Sequence, residues 1–429
     1  MVKRLSVLGL LLLVMGMVLP ACSPAVPPTA SATSTPQPTL VLTESPTATP
    51  VMTRGTITLW HAWRENEIAS LDEVIRAFQV KYPEVKFDVL YVPFDELRGK
   101  FETTATEGGG PAILIGPAEW GPILAEAGRV ADLSELASPD FLATFNPAAL
   151  GAVRYQGALI GLPHTVKGVV MYRNKAIIPE APKTVEDLIA EAKAATQGDV
   201  LGAYLECGFF FSVGHLTACN GQLMDAQGNP AFNNEAGVCW LNLLKRFKES
   251  GPVGYYVEKD FTDFMAGKVG IIIDGSWNAP VLAEAIGADH LAIDPWPTYG
   301  TGHLSGFVMT ENLYLNANAK GEDKDIAWLF MQYFLSPEAQ AILANPAKAA
   351  HLPAVTNVTL SDPLMQQAAQ ALLGGTPLPV ISEMSAYWGA MDTAINAVVM
   401  EEDKPEDPAK ALQQAFDTVT AALEALRGQ

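Results

Sequence analysis

The chain opens with an almost unbroken apolar run, Leu5 to Leu19, directly after the cations Lys3 and Arg4. At about 15 residues this run falls short of the roughly 20 that a spanning helix needs, so it reads as an export signal. A stretch without apolar periodicity follows. Of the 32 residues from Ser23 to Arg54, seven are Pro, eight Thr and four Ser. Such a segment favours extended backbone and has too little apolar surface for a core, which predicts a linker and starts the folded body near Gly55.

From Gly55 the pattern alternates between strand and helix. Thr56 to Trp60 is a short apolar, β-branched run, and Leu71, Val74, Ile75 and Phe78 then fall at i, i+3, i+4 and i+7. That stripe predicts an amphipathic helix. Val85–Leu90 predicts a second strand, Phe94–Thr106 a second helix and Ala112–Ile115 a third strand. Gly168–Tyr172 and Val269–Ile273 read as further strands. Between them Thr184 caps a helix whose Glu186 and Asp187 suit its N-terminal dipole. Trp240, Leu243, Leu244 and Phe247 mark another helix; beyond Gly306 come a strand and a helix over Ile326–Leu335. The last helix carries Leu412, Phe416, Val419, Leu423 and Leu426. This alternation predicts an α/β fold, a parallel sheet covered by helices, with sites beyond the carboxyl ends of its strands. There is no internal repeat.

Charge and motifs narrow the chemistry. A net charge of −20 repels phosphate backbones, which excludes nucleic acid as a partner. The six histidines never fall at metal-ligand spacing, so no zinc site of the usual kind is expected. Phosphate-binding glycine loops, G-x-S-x-G, H-E-x-x-H and C-x-x-C are absent, and no cofactor is expected. Leu19-Pro20-Ala21-Cys22 resembles the lipobox of bacterial lipoproteins, with Cys22 as the lipidated N-terminus after cleavage. Cys207, Cys219 and Cys239 remain. Three is odd for an exported chain; a Cys207–Cys219 bridge across an aromatic loop is favoured, against three reduced, buried thiols.

The aromatic residues cluster at strand and helix ends. Trp60 and Trp63 follow the first strand, Trp120 the third, and Trp277 the Asp274-Gly275-Ser276 turn. Phe209-Phe210-Phe211 sits in a loop and Tyr387-Trp388 precedes a late helix. Sugars present apolar CH faces edged with hydroxyls, and a site for them needs flat aromatic platforms beside planar polar groups. Trp60 continues its strand and reads as core.

An ordered set of segments now resembles a bacterial extracellular solute-binding protein of an ABC sugar importer, nearest to the maltose/maltodextrin-binding branch. It runs from Ile57-Thr58-Leu59-Trp60-His61-Ala62-Trp63 through Gly109-Gly110-Pro111-Ala112 and Met171-Tyr172-Arg173-Asn174-Lys175. Pro182-Lys183-Thr184-Val185-Glu186-Asp187-Leu188 continues it, then Phe264-Met265-Ala266-Gly267-Lys268-Val269-Gly270 leading into Ile273-Asp274-Gly275-Ser276-Trp277. Met384-Ser385-Ala386-Tyr387-Trp388 is similar to the maltodextrin branch in particular.

The resemblance implies a two-lobe periplasmic-binding-protein (type II) fold with a hinge and an interlobe ligand cleft. The lobes would span residues 55–165 plus 306–350 and 168–302 plus 355–429. It also implies a monomer that hands a carbohydrate ligand to ABC permease subunits, anchored outside the cytoplasm by lipid. Ligand-binding residues carried over are Trp63, Arg64, Glu119, Trp120, Lys167, Phe211, Trp277 and Trp388; His61 joins them as a hydroxyl donor beside the first turn, and Gly306 as a further candidate against a plain hinge glycine. Trp277, Trp388 and Phe211 match stacking positions. By contrast, Gly116 replaces a stacking Trp, and Lys167 stands where the branch has a sugar-binding Glu, so the sugar need not be maltose. Two competing readings are a non-sugar solute such as a polyamine or sugar phosphate, and a glycoside-active enzyme using Glu119 with Asp274.

Overall fold

The computed structural model describes residues 53–428. The export signal, Cys22 and nearly all of the linker lie outside the described residues. The body begins Gly55–His61 (β1), Glu65–Lys81 (α1), Val85–Tyr91 (β2), Phe94–Thr106 (α2) and Ile113–Pro117 (β3). β1 lies between β2 and β3, parallel to both. In α1 the expected stripe is the buried one: Leu71, Val74, Ile75 and Phe78 all face the core.

Thirteen residues, Leu162–Asn174 (β4), then form one long strand. Val185–Ala195 (α3), Leu201–Glu206 (β5), Glu235–Phe247 (α4), Val269–Gly275 (β6) and Leu291–Asp294 (β7) follow. Thr184 caps α3 as expected, its Oγ1 accepting from the Asp187 N–H at 3.0 Å. The chain returns through Phe307–Leu315 (β8) and Gly321–Phe334 (α5), and ends in Trp388–Ile395 (α6) and Pro408–Arg427 (α7).

β4 joins the two halves of the sheet. Its first half pairs antiparallel with β8, which also pairs with β3, and its second half pairs with β6 and β7. The ladder with β8 slips by one at Glu311/Asn312, where Thr165 faces Glu311 but Pro163 faces Asn312. His164 is therefore one residue too many on β4: a β-bulge, which bends the strand and re-aims a side chain. Separate apolar cores sit on either side. One holds Ile57, Leu59, Phe78, Leu162, Leu313 and Phe330; another holds Val169, Leu205, Trp240, Phe247 and Tyr387. No helix among the described residues is long and apolar enough to cross a membrane.

The cysteine pairing differs from the sequence expectation. Cys219 is bonded to Cys239, with their Cα atoms 5.9 Å apart, and Cys207 is free and buried. Cys219 ends the 3-10 helix Val213–Cys219, which packs on α4, and α4 presents Cys239 to it. Cys207, just after β5, points into the core instead.

Candidate functional site

The carboxyl ends of β1 and β3 and the middle of β4 converge on a polar knot. Trp63, two residues past β1, is buried and forms a triangle of rings with His164 and His351, its centroid 5.4 and 4.9 Å from theirs and theirs 5.4 Å from each other. Its indole N–H donates to Glu311 Oε2 at 2.9 Å. Lys167 Nζ donates to the other oxygen, Oε1, at 2.8 Å, and His164 Nε2 lies 3.3 Å from Oε2. Burial pushes the Glu311 carboxyl up, but Lys167 and His164 more than offset it and hold it well below its usual range. Burial likewise disfavours the Lys167 ammonium, and Glu311 reverses that, raising its pKa.

His61 is buried at the end of β1, its Nδ1 accepting from the Trp63 N–H at 3.0 Å, and desolvation lowers its pKa. Arg64 is exposed at the start of α1, where its backbone N–H donates to Glu67 Oε2 at 3.1 Å. Glu119 follows β3. Its Oε2 is shut from solvent without a hydrogen-bond partner, and burial raises its pKa to about 7. Trp120 is buried against Phe94, ring centroids 5.2 Å apart, and folds back over Gly116. A Cβ at Gly116 would lie 2.6 Å from that ring. The Trp120 indole thus leaves no room for a side chain at Gly116.

On the other side of β4 stands an aromatic shelf. Trp277 lies on the turn after β6, and the Lys167 ammonium sits 5.6 Å from its ring centroid, in cation–π range. Phe210 is the central tile, 6.3 Å from Trp277 and 6.4 Å from Trp388, inclined by 39° and 30°. Trp388, at the start of α6, also meets Phe209 edge-on at 5.4 Å. All three tiles are half-buried. The Phe209–Ser212 turn is helical, so successive rings point about 100° apart. Phe209 therefore enters the core, Phe210 the shelf, and Phe211 packs toward Tyr256 at 6.0 Å.

The structure thus brings Trp63, Lys167, Trp277 and Trp388 into one connected series through Glu311 and Phe210. Arg64 stands apart on the surface, and Gly306 is buried with its carbonyl accepting from the Thr376 N–H at 2.9 Å. Sequence reasoning missed Phe210, Glu311, His164 and His351. Glu311 could have been flagged as a lone carboxylate, between Thr310 and Asn312, in the strand expected beyond Gly306. Asp274, the other half of the suggested acid pair, is turned back on its own chain, accepting from the Gly275 N–H at 2.6 Å and Asn278 Nδ2 at 3.0 Å.

Among the described residues one cluster has metal-ligand types: Glu67, Glu311 and His351, ligand atoms within 4.8 Å of one another. Lys167 and Trp63 already take both Glu311 oxygens, and His351 Nε2 pairs with Glu67 Oε1 at 2.9 Å.

Residues 73–372 match the family profile of the bacterial extracellular solute-binding proteins. The maltotriose-binding protein of Pyrococcus abyssi is 24% identical over 370 residues, covering 81% of this chain and 78% of that protein. The galactooligosaccharide-binding protein of Bacillus subtilis is also 24% identical, over 393 residues, covering 85% and 89%. Among solved structures, the maltose/maltodextrin-binding domain of Bdellovibrio bacteriovorus bound to maltotriose is similar with a TM-score of 0.76. That match is 25% identical and covers 86% of this chain and 100% of that one.

Proposed function

Because the chain belongs to the bacterial extracellular solute-binding proteins, we propose that it captures a di- or oligosaccharide of the maltodextrin-like class between two lobes. It delivers that sugar to the permease of an ABC transporter and carries out no chemistry of its own. The lobes are residues 55–165 plus 306–350 and 168–302 plus 355–429, acting as a monomer. Cys22 holds the protein at the outer face of the cell membrane through its lipid, and the linker spaces the body from it.

The observation that carries this reading is the tiled shelf Trp277–Phe210–Trp388 beside the Lys167–Glu311 pair. The half-buried rings offer flat faces for sugar CH groups, and the charged pair beside them offers donors and acceptors for hydroxyls. Lys167 touches both Glu311 and the Trp277 ring, so a ligand on the shelf lies against a residue of the strand that joins the lobes. Ligand contact on both sides of that strand gives the closed form its differential affinity. Isothermal titration of the soluble body with maltotriose tests this. Trp277→Ala and Trp388→Ala should each weaken binding at least about tenfold, or 1.4 kcal/mol. Unchanged affinity in both variants would refute the shelf as the binding surface.

A further inference from the structure

Eight large hydrophobic side chains among the described residues stand exposed. Val80, Leu373 and Leu426 lie singly on helices, which is ordinary. Leu90, Tyr91 and Phe94 instead gather at the carboxyl end of β2, with Tyr91 51% and Phe94 54% exposed. They are continuous with the site. Phe94 stacks on Trp120, inclined by 36°, and Trp120 adjoins Glu119 with its unpartnered oxygen. Tyr91 meets His61 edge-on at 6.0 Å. Arg98 lies one turn along α2 from Phe94, on the same side of the helix, and its charge is felt at Glu119.

We propose that Phe94 and Tyr91, with Arg98 beside them, form an outer subsite for a further ring of an oligosaccharide whose inner rings lie on the Trp277–Phe210–Trp388 shelf. The inference rests on the capture reading and adds chain length to it. The sheet runs in the order β2–β1–β3–β8, so β2 is three strand spacings, about 14 Å, from the strand that carries Glu311. A single hexose cannot span that distance; a short chain can. The buried Trp120 behind Phe94 holds one face of the phenyl ring and leaves the other to solvent, which is how a stacking platform is kept rigid. Arg98, its side chain 43% exposed, pairs only loosely with Glu102, at 3.6 Å, which leaves donors for ring hydroxyls.

The test is isothermal titration of wild type, Phe94→Ala and Phe94→Trp with maltose and with maltotetraose. Wild type should bind maltotetraose more tightly. Phe94→Ala should weaken maltotetraose about five- to tenfold and leave maltose within about twofold, while Phe94→Trp keeps both. Equal losses for the two sugars would overturn the subsite and make Phe94 a mere support for Trp120. No loss for either, or a wild type without preference for the longer chain, would overturn it too. In all three cases the capture reading survives. A wild type that binds neither glycan would refute the capture reading and the subsite together.

Discussion

Glu119→Gln separates what this carboxyl does for folding from what it does for binding. The substitution keeps shape and removes the charge. In the folded protein burial raises the Glu119 pKa to about 7 from an ordinary 4.5, with Lys167 and Arg98 only partly relieving it. The unfolded chain therefore loses its proton first as pH rises, and the folded state becomes relatively less stable between pH 4.5 and 7. At 1.36 kcal/mol per unit, the full cost above pH 7 is about 3 kcal/mol. Glutamine cannot ionise. The variant should match wild type near pH 4.5 and exceed it by up to about 3 kcal/mol at pH 8, as measured by urea unfolding across that range. Titration with maltotriose at pH 8 reads the binding side: Oε2 is shut from solvent, so affinity should stay within about twofold. A stability difference that stays flat with pH would refute the reasoning, since only ionisation of Glu119 makes it pH-dependent.

Two further outcomes can be checked on the same material. The Cys219–Cys239 bond closes a loop of 20 residues, so Cys219→Ser/Cys239→Ser should cost about 3 kcal/mol by urea unfolding, whereas a peptide map linking Cys207 would disprove the pairing. His164 and His215 are buried and their pKa values are lowered to about 4, chiefly by desolvation. Each therefore removes stability as pH falls from 6.5 toward 4, where the unfolded chain binds a proton first. Their ring resonances should stay in the neutral form through that window, and titration of either near 6.5 would contradict the burial argument.

The local elements were legible because their patterns are local. The stripe of α1, the extent of α2 and the Thr184 cap each depend on residues within a few positions of one another. β4 was read only from Gly168 to Tyr172. Its first half, Leu162–Lys167, contains Pro163, His164 and Lys167, whose partners come from β8 and from the Leu352–Pro353 strand far along the chain. The same distance hid Glu311, whose role as the centre of the knot depends on Lys167, His164 and Trp63 arriving from three other segments. In the Phe209–Phe211 run, composition marked the platform; one residue of helical rotation decided that Phe210 occupies it. The cysteine pairing followed helix packing rather than the nearest spacing.

The unmatched His164 gives the joining strand a constraint of length as well as of sequence. Side chains on a strand alternate faces, so removing that one residue would restore a regular ladder with β8 and turn everything on one side of the gap to the opposite face. Either Leu162 would leave the first core, or Lys167 would rotate away from both Glu311 and Trp277. Replacements of apolar side chains along β4 leave the parity of the strand intact, although at Gly168 a Cβ would lie 2.2 Å from the Phe307 carbonyl oxygen. A one-codon deletion or duplication there changes the parity on which both halves of the protein are read.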